Sequence, residues 1–447
     1  MSTSFRFFRE AKVTLALAIP MMAGQLSQML MGLIDAAMVG RVGVVPLAAA
    51  AFANSVLGIP MLIAIGLLTA VSVQVSQAHG AGRREDIGEV LRHGMWLSVV
   101  LGVALGILLW LASFHLTRFG QPLEVASAAR RYFVIMGASF LPMMLTLTLK
   151  QFSEALSHPV PPMLILIGSV ALNAGLNWIF IYGNLGAPAL GLEGAAWATC
   201  ASRVASSLAL LAYVRRARRF IGLAPARFVW PLRAARVVSM LRIGGPSAVM
   251  LLLEVSAFSF AAIMAGWLGV VPLAAHQIAL SCASTTFMLP LGISLAVSIR
   301  VGQAIGAGDR VRVRIIGLSA FCLGVGIMAI CGLGFVLAGG PIARAFVNET
   351  AVSALATRIL LICAAFQMFD GLQVIAAGAL RGLADVIVPM IFCIIAYWLV
   401  ALPVAWWFAF QLQYGLFGIW LGLALGLSCV ATLLTARFVW RTRLREA

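Results

Sequence analysis

The sequence predicts an all-α polytopic membrane protein of twelve transmembrane helices, in two six-helix lobes related by a pseudo-two-fold axis along the membrane normal. Three observations lead there: an extreme apolar composition, twelve apolar runs long enough to span a bilayer, and an internal repeat at an offset of 226 residues. Of 447 residues, 62% are hydrophobic and 10% charged, whereas soluble domains carry about 25% charged residues. A water-soluble fold could not hide so much apolar surface, so the excess faces lipid or other spans.

The first six runs fall at about 11–36, 46–76, 93–115, 130–153, 160–183 and 189–214. The second six fall at about 237–266, 272–300, 313–338, 354–380, 387–410 and 414–438. At about 1.5 Å rise per residue, such lengths cross a hydrocarbon core about 30 Å thick. Segments this apolar must be helices, because lipid offers the backbone no other hydrogen-bond partner. The N-terminal MSTSFRFFREAK and the apolar run after it imitate a signal peptide. That run is too long for an h-region and lacks a small-residue cleavage site, so it reads as a retained first span.

The net charge of +17 does not imply nucleic-acid binding, because the basic residues lie in short loops between apolar runs. Lys and Arg concentrate at the N-terminus, in the even-to-odd connections (Arg83, Arg84, the RRARR run at 215–219, Arg310, Arg312, Arg314) and at the C-terminus. The opposite loops hold only Arg41, Arg118, Arg130, Arg131, Arg344 and Arg358. By the positive-inside rule both termini are expected in the cytoplasm. The seven cysteines all lie in apolar runs without a CxxC pair, and read as small core residues rather than metal or redox groups.

Shifting the chain by 226 residues aligns MVGRVGVVPLAAAAFANS, from Met38, with MAGWLGVVPLAAHQIALS, from Met264. From Met38 to Gly82, 21 of 45 positions are identical, and Pro20 and Pro246 keep the same offset. The first helix of each half is therefore expected to share a break. The expected division is an N-terminal lobe, 1–225, ending in a basic linker at about 215–236, and a C-terminal lobe, 226–447. Six spans separate equivalent helices, so both halves point the same way and a substrate site is expected between them near mid-membrane. Gly418, Gly422 and Gly426, four residues apart, are expected to let helices approach closely.

Three carboxylates stand inside apolar runs: Asp35 in span 1, Glu254 in span 7 and Asp370 in span 10. Glu254 lies 12 residues from Arg242, and Asp370 lies 12 from Arg358 and 11 from Arg381, or about 18 Å along a helix. Both are expected near the midplane, and Asp35, six residues from Arg41, in the outer part of its span. A charge at a helix centre costs about 2.5 kcal/mol or more, so an acid there reads as functional. The spans offer it little intramembrane Arg or Lys, since Arg203 and Lys150 are expected toward cytoplasmic ends. Glu154 reads as an interfacial acid. A buried carboxylate without a cationic partner tends to bind a proton; when ionised, it can hold Na⁺ or an organic cation. Competition of these for one negative site is the minimal chemistry of an antiporter.

QMLMGLIDAAMVGRVG, EVSAFSFAAIMAGWLG, AAHQIAL, MFDGLQVIAAGALRGLADVIVPM and NWIFIYGNLGAPALGLEGAAWAT resemble the multidrug and toxic compound extrusion (MATE) family, most of all its NorM-type bacterial branch. The resemblance covers essentially the whole chain. It implies that Glu254 and Asp370 form the cation site of the C-terminal lobe, where Na⁺ is a candidate ligand. It also implies that Asp35 serves the N-terminal lobe with Asn173, Asn177 and Thr199, although some relatives carry an acid where Asn177 stands. Phe366 occupies the place where some sodium-coupled relatives have a tyrosine, which removes an oxygen ligand and favours proton coupling. Phe258, one turn after Glu254, could stack on an aromatic cation. Gln277 and His276 begin span 8 near its outer interface, and Gln277 is a secondary candidate.

The expected function is a secondary-active multidrug efflux antiporter that exports amphipathic organic cations in exchange for H⁺ or Na⁺ by alternating access. It would need no cofactor and no nucleic acid, and would work as a monomer among the lipids of a bacterial inner membrane. The alternative is a lipid-linked oligosaccharide flippase of a related two-lobe fold, which should carry buried arginines for pyrophosphate where this chain has acids. An enzyme is not expected, because no HExxH or GxSxG is present, and ATP-driven transport lacks its GxxxxGK[ST].

Overall fold

The computed structural model describes residues 3–225, 228 and 231–443. Among them twelve helical spans are long and apolar enough to cross a membrane, and no strand occurs. The first six spans comprise α1 (Thr3–Gly40), α2 (Val44–Gly80), α3 (Arg84–Ala112), α4 (Leu123–Ala138) with α5 (Phe140–Ala155), α6 (Val160–Tyr182) and α7 (Leu192–Arg216). The second six comprise α8 (Ala234–Trp267), α9 (Val270–Gly306), α10 (Arg310–Phe346), α11 (Thr350–Gly382), α12 (Ile387–Cys393) with α13 (Leu402–Trp406), and α14 (Gly415–Arg441).

Three spans depart from regular α geometry. Span 3 closes in a 3-10 segment at Ser113–Phe119. Span 4 breaks at Ser139, between α4 and α5. In span 11 the turns at Ile394–Ala401 and Trp407–Gln411 widen to π geometry on either side of Pro403. A π turn rotates the side chains that follow it relative to an α register, and such turns are frequent at functional sites.

The chain forms two compact units, Ala23–Ala248 in one and Met1–Met22 with Val249–Ala447 in the other. The boundaries at 22/23 and 248/249 differ by the repeat offset of 226 and fall two residues after Pro20 and Pro246. Each repeat thus gives the start of its first helix to the other unit.

One contact recurs at repeat-equivalent positions. In the first unit a Cβ on Gly66 would meet Ala248 Cα at 2.2 Å, and in the second a Cβ on Gly292 would meet Met22 Cγ at 2.4 Å. Gly66 and Gly292 match under the offset, as do Met22 and Ala248. The duplication therefore preserved a helix crossing as well as a sequence.

Lipid makes packing depend on shape rather than on hydrophobic exclusion, so small residues line the helix contacts while large ones stay outside. Ile330 and Leu337 of α10 are 72% and 75% exposed. Along α14, a Cβ on Gly418, Gly422 or Gly426 would fall 2.3–2.5 Å from Ala409, Ala405 or Ala401, so these glycines set the approach of span 11. The seven cysteines are free.

Candidate functional site

In the unit Ala23–Ala248, α1, α6 and α7 bring four predicted residues together. Asn177 Nδ2 donates to Asp35 Oδ1 at 2.6 Å, and Thr199 Oγ1 donates to Asp35 Oδ2 at 3.0 Å. Asn173 Nδ2 donates to Thr199 at 3.2 Å, and Asn177 Nδ2 also reaches Asn173 Oδ1 at 3.2 Å. Asn173 and Asn177 are one helical turn apart and fully buried, which fixes both amides against one side of the carboxylate. Both Asp35 oxygens accept, an arrangement that suits an ionised acid.

Among the described residues no salt bridge reaches Asp35, but the charge of one arginine acts on it. Arg203, midway along α7, donates to Ser139 Oγ at 2.5 Å, at the break between α4 and α5. Its charge acts on Asp35. The same carboxylate acts on Tyr132, whose hydroxyl donates to Asn54 Oδ1 at 3.2 Å. Depth along α7 could be counted from sequence, but the direction in which Arg203 leaves the helix could not.

Glu154 is the next-to-last residue of α5, at the end of its span. It is buried and paired with Lys150 at 3.9 Å, while Lys150 Nζ donates to Gln25 Oε1 at 3.0 Å. The spacing of four residues puts the two charges on one face of α5, so each neutralises the other inside the unit.

The second unit carries Glu254 on α8 and Asp370 on α11, near enough for their charges to interact. Asp370 is buried and has no hydrogen-bond partner among the described residues. Tyr397, in the first π turn of span 11, lies close enough to act on Glu254. Gln373 Nε2 donates to the Tyr397 hydroxyl at 2.7 Å, which leaves the phenol proton free to turn toward the acid. Arg381, eleven residues beyond Asp370, also acts on Glu254. Counting residues makes Arg381 a marker of the membrane boundary, and the structure adds that its charge acts on Glu254.

Phe258 packs edge-on against Phe366, with ring centroids 6.1 Å apart, and Phe366 packs against Trp420 at 5.5 Å. Phe366 is buried, so these rings form one apolar stack beside the acids. Gln277 is exposed and is not among the groups around Glu254 or Asp370, whereas its neighbour His276 is fully buried. Sequence reasoning missed Tyr397, Gln373 and Gln367. For the two glutamines a signal existed: Gln367, Asp370 and Gln373 recur every three residues in an apolar helix, which places polar groups along one stripe.

The geometry is that of a ligand-handling interior rather than a reaction centre. Carboxylates sit among amides, hydroxyls and aromatic rings, and among the described residues no group of three or more His, Cys, Asp or Glu could hold a metal ion. Sodium at Glu254 and Asp370 would therefore need neutral oxygens to complete its shell; Gln373 Oε1, buried and without a partner, is one.

The MatE family model matches residues 20–179 and 246–407, two segments that start at the repeat-equivalent prolines. The chain is 37% identical over 443 residues to the probable multidrug resistance protein NorM of Mesorhizobium japonicum, covering 98% of this chain and 95% of that protein. It is also 37% identical over 429 residues to the probable multidrug resistance protein NorM of Bradyrhizobium diazoefficiens, covering 95% and 92%. A solved MATE structure in the bent conformation superposes with a TM-score of 0.90 at 23% identity, covering 99% of this chain and 98% of that one. The eukaryotic MATE transporter AtDTX14 superposes with a TM-score of 0.87 at 24% identity, covering 97% and 96%. The repeat, the twelve spans and these matches agree: the chain belongs to the MatE family, in its NorM-type bacterial branch.

Proposed function

We propose that this membrane transporter is a secondary-active antiporter that exports amphipathic organic cations in exchange for H⁺ or Na⁺ by alternating access. The observation that carries the reading is the proximity of Glu254 and Asp370 inside one unit, with no salt bridge to either acid among the described residues. Two neighbouring acids with so little fixed compensation hold a negative site open to an exchangeable cation. Entry of the coupling ion there displaces the drug while the cavity faces outward. Arg381 supplies part of the countercharge to Glu254 between visits, and Arg203 does the same for Asp35.

On this reading the two sequence halves, 1–225 and 226–447, are the moving lobes, and the protein acts as a monomer in the bacterial inner membrane with both termini cytoplasmic. Asp35, with Asn173, Asn177 and Thr199, forms a second polar site that responds to the same ion or to the drug. A flippase for a pyrophosphate-linked lipid is less favoured, because the charges of Arg203 and Arg381 each act on a carboxylate nearby.

The test is efflux of a fluorescent organic cation from everted vesicles, with ΔpH and a Na⁺ gradient imposed separately. Acceleration by at least one gradient is expected, together with its loss in the Glu254→Gln, Asp370→Asn double variant. Gradient-driven efflux that persists in the double variant overturns the assignment.

A further inference from the structure

Beside the two acids, the second unit contains polar groups that the exchange reading leaves unused. Gln367 on α11 is fully buried, and neither its amide oxygen nor its amide nitrogen has a partner among the described residues. The same holds for both ring nitrogens of His276 on α9, also fully buried, and for Trp420 Nε1 on α14. A buried polar atom without a partner costs about 1–3 kcal/mol. Such atoms are rare in folded proteins, so five of them from three helices call for an explanation.

Their placement gives one. The His276 ring lies 5.6 Å from the Trp420 ring, and the Trp420 ring lies 5.5 Å from that of Phe366, the neighbour of Gln367. Gln367 is three residues from Asp370, on the same stripe of α11. α9 and α11 run parallel, since Ser294 bonds the Val374 carbonyl and Ser298 packs at Gly382. Long helical side chains lean toward the helix N-terminus, which for Gln367 is the end where His276 lies. His276 and Trp420 therefore reach the Phe366 ring, and Gln367 follows it on α11 one turn before Asp370, a buried polar file that leads from the N-terminal parts of α9 and α14 to Asp370.

The file offers both acceptors and donors: an amide oxygen and an imidazole nitrogen, against an amide N–H, an indole N–H and an imidazole N–H. An organic cation needs an aromatic face and room, and would leave the donors unmet. A small inorganic cation travelling with its water meets both, the oxygen binding the ion and the N–H groups binding its water.

We propose that this file is the path by which the coupling cation reaches Asp370, with Gln367 as the residue that positions it there. The inference rests on the cation-exchange reading above and goes beyond it by naming a route and a positioning side chain.

The test uses full-length protein in liposomes, with efflux of a fluorescent organic cation driven by Na⁺ or by H⁺ over a range of concentrations. Gln367→Leu should raise the concentration of driving ion for half-maximal efflux about tenfold, with the maximal rate retained at saturation. Gln367→Glu, which restores an oxygen ligand, should return it to the wild-type value or below. His276→Phe should slow efflux at low ion concentration and not at saturation. Running Na⁺ and H⁺ separately identifies which cation uses the file. A folded Gln367→Leu protein with wild-type half-saturation for both ions overturns the inference, as does a loss of maximal rate alone. If Gln367→Leu does not fold, the Gln367→Glu and His276→Phe arms decide by the same measure. Wild-type efflux that responds to neither gradient would sink the exchange reading and this inference with it.

Discussion

Asn177 Nδ2 stands 2.6 Å from Asp35 Oδ1, so a neutral amide one turn from a second asparagine determines how the span 1 acid is held. Hydrogen bonds to a charged group contribute about 1.5–3 kcal/mol. Asn177→Ala should therefore lower efflux about tenfold or more, since each 1.4 kcal/mol is a factor of about ten. Thr199→Val removes the bond to the other oxygen and should act in the same direction. The double variant should be less than additive, because both groups hold one carboxylate; additivity in a double-mutant cycle of efflux rates would argue against a shared role.

Tyr397 accepts from Gln373 and acts on Glu254. Tyr397→Phe leaves a buried amide donor without its acceptor and removes a hydroxyl that acts on the acid. The expected loss is about 1–3 kcal/mol of stability, read as a lower melting temperature in detergent, with a smaller fall in efflux than in Glu254→Gln. Equal efflux losses in the two variants would mean that the phenol itself carries the ion.

Arg300 occupies the repeat position of Gln74, and both pin a helix start within their own unit. Gln74 Nε2 donates to Ser239 Oγ at 2.9 Å. Arg300 instead bonds the Glu10 carboxylate, its backbone carbonyl and the Thr14 hydroxyl. Glu10 and Arg300 are both buried, and removing one partner of a buried pair costs about 3–5 kcal/mol. Arg312 still reaches Glu10 at 3.3 Å, so Arg300→Leu should fall at the lower end, about 3 kcal/mol. Gln74→Leu should cost about 1 kcal/mol. Thermal unfolding of the two variants side by side checks the asymmetry.

Gly422 admits no side chain, because a Cβ there would lie 2.4 Å from Ala405 Cα. Overpacking of this kind costs about 1–3 kcal/mol, so Gly422→Ala should lower the melting temperature. Gly168 on α6 has nothing within 4 Å of its Cβ position, and Gly168→Ala should be neutral or stabilising by up to about 1 kcal/mol. The opposite ranking would refute the packing argument.

The number and order of the spans were legible because lipid leaves a long apolar segment only one way to satisfy its backbone. The repeat was legible too, and the unit boundaries fall at its equivalent positions. Legibility stopped at direction around a helix. Arg203, Arg381 and Lys150 could be assigned a depth by counting residues, but which neighbour each meets depends on how helices pack side by side. The same limit hid Tyr397, whose bearing is set by a π turn in an otherwise featureless apolar segment. Asp35 with Asn173, Asn177 and Thr199 came through family resemblance, not through spacing, since α1, α6 and α7 are far apart in the chain.

By itself, the sequence determined the solvent, the number of spans, the duplication and the three acids that lipid makes expensive to keep. Only the tertiary structure decided what surrounds those acids: donors on both oxygens of Asp35, a phenol and an arginine whose groups act on Glu254, and no hydrogen-bonding partner at Asp370 among the described residues. The reason is physical. Transfer into lipid depends on composition summed along one helix, whereas the fate of a buried charge depends on atoms a few ångströms away that other helices supply.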